Sequence, residues 1–96
     1  MTPFRPDLPP HVAEVIRSLH PDLKRSVKAA VSAIATDPKC GTSLLRELDG
    51  LWNYRVRRFR IVYAIGRKTR VIRLMAVGHR RHVYEELSAR LRGTTI

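Results

Sequence analysis

The chain has 96 residues, 44% of them apolar, which suits one compact domain with a single modest core, and we expect no second domain. No apolar run approaches the roughly 18 residues that cross a bilayer. The first residues also lack the apolar stretch of a signal peptide, so we expect a cytoplasmic protein. A single cysteine, Cys40, excludes an internal disulfide, and no Cys-x-x-Cys or His-x-x-x-His spacing indicates a metal site. We therefore predict neither a metal nor a cofactor.

The formal charge of +11 is concentrated in the second half of the chain. Residues 1–49 carry 7 Lys or Arg against 6 Asp or Glu, whereas residues 50–96 carry 12 against 2. Arginine dominates the second half, and its planar guanidinium binds phosphate in a bidentate way that lysine cannot. The charge predicts a polyanionic partner, nucleic acid above all, with an acidic protein as an alternative or additional partner.

Two helices are predicted in the first half of the chain. Four prolines in residues 1–10 allow at most a short edge strand near Phe4. Apolar residues spaced three and four apart then predict one helix over residues 10–19 and another over residues 21–36. Asp37-Pro38 ends the second helix, so these segments form a helical hairpin.

Residues 52–65 predict two strands, because apolar residues alternate with polar ones. A two-residue turn at Arg57 and Arg58 sets the register. The pairs are Trp52 with Tyr63, Asn53 with Val62, Tyr54 with Ile61, Arg55 with Arg60, and Val56 with Phe59. Aromatic and aliphatic side chains then share one face, and the other face places Arg55 opposite Arg60. Like charges paired across strands destabilise a sheet, so we expect an anion at this face.

A third antiparallel strand is predicted over residues 70–77, after a turn at residues 66–69. A four-residue loop pairs Tyr63 with Ile72, Val62 with Arg73, Ile61 with Leu74 and Arg60 with Met75. Arg73 thereby joins the face of Arg55 and Arg60, although a slip of one residue would reverse its face. Gly78 is expected to end this strand.

The remaining apolar residues predict two short elements. Leu44, Leu45 and Leu48 are expected to form a helical turn or extended run that packs on the helices. Val83, Leu87 and Leu91 stand at helical spacing and predict a closing helix to about residue 92. The whole chain, residues 1–96, is therefore predicted to be one α+β domain with an N-terminal helical hairpin on a small antiparallel sheet of three to four strands, followed by a short C-terminal helix.

Several spaced motifs resemble the RelE/ParE superfamily of toxins from bacterial and archaeal toxin–antitoxin pairs. Two helices are followed by Leu-Asp-Gly-Leu-Trp, Tyr-Arg-Val, Phe-Arg-Ile-Val-Tyr and Gly-His-Arg-Arg-His-Val-Tyr. The resemblance covers roughly residues 9–87 and is strongest over residues 48–84. It implies a cognate antitoxin that is encoded beside the toxin and wraps it, with operator DNA bound only through that antitoxin. In the RelE-like branch the implied activity is cleavage of mRNA in the ribosomal A site, whereas the ParE-like branch blocks DNA gyrase.

The resemblance also implies four site residues, Arg55, Arg60, Arg80 and Tyr84. Two departures from the RelE-like pattern are Asn53, where another basic residue can stand, and Arg57, where relatives commonly place glycine in the hairpin turn. The candidate catalytic residues are Arg55, Arg60, Arg80, Tyr84 and His79. The candidate RNA-binding residues are Arg57, Arg58, Arg73 and Arg81.

Attack of a 2′-hydroxyl on the adjacent phosphate needs a base, an acid and positive charge. The arginines supply the charge, but arginine cannot ordinarily accept a proton. Histidine changes charge near neutral pH, so His79 and His82 are candidates for proton transfer. Tyr84 can orient the 2′-hydroxyl, stack on a base or exchange a proton. The alternatives are that Tyr84 only covers the core and that His79 only bonds the backbone near Gly78.

These observations predict a toxin of the RelE type, a ribosome-dependent endoribonuclease that acts on translated mRNA. Two alternatives remain open at this point. One is a ParE-like inhibitor of DNA gyrase, and the other is an inactive toxin homologue that serves as an antitoxin-bound transcriptional corepressor.

Overall fold

A five-stranded sheet with three helices forms the fold. The computed structural model describes residues 3–45, 48–80 and 82–93, and side chains as far as residue 89. The strands are β1 (Arg5–Asp7), β2 (Thr42–Ser43), β3 (Leu51–Val56), β4 (Phe59–Gly66) and β5 (Val71–His79). The helices are α1 (Pro10–Arg17), α2 (Pro21–Thr36) and α3 (Val83–Gly93), with a 3-10 turn at Pro38–Cys40.

The strand order in the sheet is β1-β5-β4-β3-β2. β1 runs parallel to β5, and the other pairs are antiparallel. The predicted α+β fold is confirmed, but the sheet has five strands rather than three to four and is mixed rather than purely antiparallel. The difference arises because two short edge strands add to the predicted three.

The helical hairpin is confirmed and packs on one face of the sheet. Proline is tolerated where α1 and α2 begin, because the first N–H groups of a helix have no partner within it. α1 ends at Arg17, two residues earlier than predicted, and α2 matches its prediction. The main core joins the two helices to the sheet and contains Val12, Ile16, Val27, Ala30, Ile34, Val56, Ile61, Tyr63, Ile72, Leu74 and Val77.

The β3–β4 hairpin has the predicted register at all five pairs, from Trp52 with Tyr63 to Val56 with Phe59. The apolar side chains of this hairpin contribute to the main core. Arg55 and Arg60 are direct partners, and their side chains lie on the opposite face of the sheet. Arg57 adopts a positive φ of 55° at the turn, a conformation that is costly for a residue with a Cβ atom.

The predicted register of β5 is wrong. Arg60 faces Gly78 and Val62 faces Ala76, while Arg73 faces Ala64 rather than Val62. The loop still has four residues but includes Arg70, whose φ is 55°. An irregularity between Val62 and Tyr63 then shifts the register by one further residue. As a result the strand continues through Gly78 to His79 instead of ending at Gly78.

At this irregularity the backbone of Met75 is tied to the first helix. The His11 Nε2 donates a hydrogen bond to the Met75 carbonyl at 3.2 Å. Met75 has no Cα partner in the β4–β5 register, so this bond ties the irregular part of β5 to the first helix.

The second face of the sheet is half covered by a smaller core. Val62, Ala76, Val83 and Leu87 are buried there, with Leu44, Leu48, Leu51, Met75 and Tyr84 packed around them. The closing helix is therefore confirmed, although the side chain of Leu91 lies outside the described residues. The expectation that the leucines pack on the helical hairpin is wrong, because Leu44 and Leu48 belong to this opposite face and Leu45 is 75% exposed. The other half of this face carries the arginine pair.

Candidate functional site

The site is built around the Arg55–Arg60 pair on β3 and β4. Arg55 is exposed, and Arg60 is half-buried with its Nη1 donating to the Phe59 carbonyl at 3.1 Å. Neither has an ion pair with an acidic side chain in residues 3–45, 48–80 and 82–93. The ion pairs formed there are Arg17 with Glu14, Arg25 with Asp22, and Arg73 with Asp7. Two positive charges thus lie opposite each other without an acidic partner among the described residues.

One cleft beside this pair, the arginine cleft, has a volume of about 630 Å³ and is lined by Arg55, Arg57, Arg58, His79 and Arg80. The backbone N–H of Arg80 donates to the Arg58 carbonyl at 2.9 Å. This bond joins the residue after β5 to the hairpin turn, which are far apart in sequence. Four guanidinium side chains and one imidazole therefore surround a space that can accept an anion.

His79 contributes the imidazole among the described residues that line the arginine cleft. Its ring packs against Phe59 with the planes at 72° and the centroids 6.2 Å apart. The His82 ring lies 6.1 Å away. The Nδ1 of His79 is buried and has no hydrogen-bond partner within the described part of the chain, so this nitrogen does not bond the backbone near Gly78.

A second cleft, the asparagine cleft, has a volume of about 420 Å³ and is lined by Cys40, Gly41, Thr42, Asn53, Tyr54, Arg55 and Arg60. Arg55 lines both clefts, so they are neighbours on the sheet. The Oδ1 of Asn53 is buried there without a hydrogen-bond partner among the described residues. Asn53 was not among the predicted site residues, although the hairpin register already places it on the face of Arg55.

The thiol of Cys40 also belongs to the asparagine cleft. Loss of hydration raises the pKa of this thiol, and the nearby Asp37 carboxylate raises it further. Its Sγ donates to the Ala33 carbonyl at 3.9 Å. Cys40 is therefore a neutral thiol at physiological pH rather than a thiolate nucleophile.

Three other predicted site residues stand apart from the two clefts. Tyr84 is half-buried against the smaller core and lines neither cleft. Arg73 is opposite Ala64, toward the far end of β4, and its Nε lies 3.4 Å from Asp7 Oδ2. Arg81 is outside the described residues. The structure thus groups Arg55, Arg57, Arg58, Arg60, Arg80 and His79.

The described ranges contain neither a cluster of metal ligands nor a membrane-spanning helix. No three His, Cys, Asp or Glu side chains there come together in a way that could hold a metal ion. None of the helices there has the length and apolar character needed to cross a bilayer.

A family model decides which proteins this chain is related to. The model of the ParE-like toxin of type II bacterial toxin–antitoxin systems matches residues 8–88. The chain belongs to this toxin family. The predicted membership of the RelE/ParE superfamily is thereby confirmed. None of the curated protein sequences compared with the toxin matches it.

Solved structures of RelE toxins share the fold of this toxin. The RelBE2 toxin–antitoxin complex from Mycobacterium tuberculosis has a TM-score of 0.75 at 23% identity, covering 83% of this chain and 94% of that chain. A double arginine-to-alanine variant of the E. coli toxin RelE in the free state has a TM-score of 0.75 at 20% identity, covering 92% and 97%. The RelE–RelB complex from Pyrococcus horikoshii has a TM-score of 0.68 at 21% identity, covering 83% and 97%. The toxin therefore has a RelE-type fold.

Proposed function

We propose that this toxin is a ribosome-dependent endoribonuclease that cleaves translated mRNA. The observation that carries the proposal is the pair of Arg55 and Arg60, opposite each other without an acidic partner in the described residues. Such a pair destabilises the free sheet, and a phosphate between the two guanidinium groups turns repulsion into two charge-assisted interactions. The pair is thus suited to the phosphate at which the RNA chain is cut.

The reaction transfers the phosphate within the RNA. The 2′-oxygen forms a bond to phosphorus while the bond from phosphorus to the 5′-oxygen breaks. The products are a 2′,3′-cyclic phosphate and a free 5′-hydroxyl. Negative charge on the phosphate oxygens grows during this step, and preorganised donors aimed at those oxygens lower the barrier. Arg55 and Arg60 act as these donors, and Arg57, Arg58 and Arg80 hold the flanking RNA backbone in the arginine cleft.

Proton transfer is assigned to His79. The step releases a proton from the 2′-hydroxyl and requires one at the 5′-oxygen, and the Nε2 of a neutral imidazole can accept or donate a proton. His79 lines the arginine cleft with Arg55 and Arg80. Its cross-strand partner is Phe59, so its ring leaves the sheet on the face opposite the arginine pair and has to reach the phosphate around the end of the hairpin. Tyr84 packs on the smaller core, which supports the role of covering the core over that of touching RNA. The second proton is exchanged with water or with groups of the ribosome.

Dependence on the ribosome supplies what the isolated toxin lacks. A ribosome that holds the message in a bent geometry places the 2′-oxygen in line with the phosphate, and such positioning removes much of the barrier. The toxin then needs to contribute charge and one proton-transfer group. This division of roles accounts for a cleft whose described lining has four arginines and His79.

The cognate antitoxin is the second proposed partner. Structural neighbours of the toxin include a RelBE2 complex and a RelE–RelB complex. An acidic antitoxin segment over Arg55 and Arg60 would neutralise the same charges that bind RNA. Operator DNA is proposed to bind only through the antitoxin.

A gyrase inhibitor is the second candidate function, and the position of Tyr84 favours it. Without Tyr84 in either cleft, the site has fewer groups for acid–base chemistry than the resemblance implied. A binding module for gyrase requires no such groups.

Induced expression in bacterial cells separates the candidate functions. We expect the wild-type toxin and Arg17→Ala, a variant that changes an arginine paired with Glu14, to stop protein synthesis before DNA synthesis. Arg60→Ala should leave both intact. DNA damage with continuing translation would instead identify a gyrase inhibitor. Normal growth, with promoter DNA bound only in the presence of antitoxin, would identify a corepressor.

A further inference from the structure

Asn53 is a polar residue of the site that the proposed reaction does not use. It lies on β3 two residues before Arg55, so its side chain shares the face of the arginine pair. The two residues are separated by about 7 Å along the strand. The Oδ1 atom of Asn53 is buried and has no hydrogen-bond partner in the described parts of the chain. Burying an acceptor without a partner is unfavourable, and because the residue as a whole is only half-buried and lines the asparagine cleft, a turn of its carboxamide toward that cleft would let a ligand donor reach it.

The backbone around Asn53 is closely packed, which fixes the point at which its side chain leaves the strand. Asn53 pairs with Thr42 of β2 on one side and with Val62 on the other. A Cβ atom at Gly41 would lie 2.5 Å from the Asn53 carbonyl oxygen, so the two backbones touch. The Tyr63 hydroxyl donates to the Pro38 carbonyl at 2.6 Å and ties the preceding turn to the sheet.

The asparagine cleft differs from the arginine cleft in its chemistry. Apart from Arg55 and Arg60, its described lining residues are uncharged: Cys40, Gly41, Thr42, Asn53 and Tyr54. Cationic side chains contact phosphates without reading sequence, whereas amide and hydroxyl groups can hydrogen-bond the edges of bases. A nucleotide has both parts, since its base is joined to its phosphate through a ribose. The two clefts therefore match the two ends of one nucleotide.

We propose that Asn53 determines specificity by hydrogen-bonding the base of a nucleotide next to the scissile phosphate. This inference rests on the proposed ribonuclease function. The phosphate lies on Arg55 and Arg60, and the attached base enters the asparagine cleft, where the carboxamide of Asn53 supplies both a donor and an acceptor. Single-stranded RNA is recognised in this way, through bases that are unstacked and bonded along their edges.

The test is to map new mRNA 5′ ends in cells after inducing the wild-type toxin, Asn53→Ala and Ser43→Ala. Ser43 is an exposed residue of β2 that lines neither cleft, so its variant is the matched control. We expect wild type and Ser43→Ala to share a base preference at one position beside the cut. Asn53→Ala should still cut RNA but reduce that preference about fivefold or more, as expected for the loss of one good base contact.

Three results have distinct meanings. If Asn53→Ala cuts with the base preference of wild type, the inference is overturned and the ribonuclease proposal stands. If Asn53→Ala folds, as judged by thermal unfolding, but no longer cuts, Asn53 acts in catalysis and the specificity role is overturned. If the wild-type toxin makes no new ends, the ribonuclease proposal itself fails and the inference fails with it.

Discussion

Arg55 and Arg60 are direct cross-strand partners in the β3–β4 hairpin, and neither forms an ion pair within the described residues. The sheet tolerates this repulsion because the apolar side chains of the same hairpin pack in the main core. The pair therefore favours binding of an anion at the expense of the stability of the free toxin. This relation between stability and function can be tested directly.

Arg55→Gln should stabilise the toxin while impairing it. Removing one charge relieves the cross-strand repulsion, so we expect the free energy of unfolding to rise by about 0.2–1 kcal/mol. Inhibition of translation should fall by about 100-fold, because one donor to the phosphate is lost. Urea unfolding and a translation assay measure the two effects. Lower stability together with full inhibition would show that the pair is a structural feature of the sheet.

The strained turn residue Arg57 allows charge and backbone conformation to be separated. Arg57→Gly and Arg57→Ala both remove the guanidinium, but only glycine adopts the φ of 55° without a Cβ clash. We expect the glycine variant to be about 1 kcal/mol more stable than the alanine variant. The two variants should lose RNA affinity equally. Unequal loss would mean that the turn conformation, rather than the charge, determines binding.

Tyr63 should make the toxin less stable at high pH. Its side chain is 0% exposed, and burial raises the pKa of the hydroxyl to about 12 from an ordinary value of 10.0, with a further contribution from Cys40. The unfolded chain therefore loses this proton first as the pH rises. The stabilisation is complete below pH 10 and is lost between pH 10 and about 12, by on the order of 2 kcal/mol.

Tyr63→Phe isolates this effect from other titrating groups. At pH 8 the variant should be about 1 kcal/mol less stable, because the hydrogen bond to the Pro38 carbonyl is lost. The difference in unfolding free energy between wild type and variant should shrink as the pH rises above 10. A difference that stays constant to pH 11.5 would contradict the assigned pKa. Both proteins are measured by urea unfolding at each pH.

Gly41 should tolerate no side chain. A Cβ atom there would lie 2.5 Å from the Asn53 carbonyl oxygen and 2.6 Å from the Tyr63 hydroxyl. Gly41→Ala should therefore cost about 1–3 kcal/mol of stability through overpacking. Gly78→Ala is the control, since its Cβ atom would meet Val83 at an ordinary 3.5 Å. Equal melting temperatures for the two variants would contradict the close approach at Gly41.

The hairpin and the helices could be predicted from the sequence because local patterns determine them. Alternating side chains and a two-residue loop allow one register, and that register already places Arg55 opposite Arg60. The register of β5 could not be predicted, because it depends on a positive φ at Arg70 and on an irregular pairing beside Val62. Apolar alternation contains no sign of either feature.

The grouping of the candidate residues could be predicted only in part, for a similar reason. The resemblance supplied Arg55, Arg60, Arg80 and Tyr84, but only the folded chain shows which candidates lie together. Arg80 reaches the arginine cleft through a backbone bond to Arg58, which has no sequence signature. Tyr84 stands one position after Val83 of the helical stripe, and it packs on the smaller core with Val83 instead of facing the arginines.

Mapping mRNA 5′ ends shortly after induction shows whether Arg55 and Arg60 support cleavage of translated mRNA. The proteins compared are the wild-type toxin, the Arg55→Ala/Arg60→Ala double variant, and an Arg17→Ala/Arg25→Ala double variant that removes the same charge from arginines paired with acids. We predict new ends in reading frame inside translated messages for wild type and for the Arg17/Arg25 variant. The Arg55/Arg60 variant should give none. Growth arrest by wild type without new ends would contradict the ribonuclease proposal. New ends that persist in the Arg55/Arg60 variant would contradict the role of this arginine pair in cleavage.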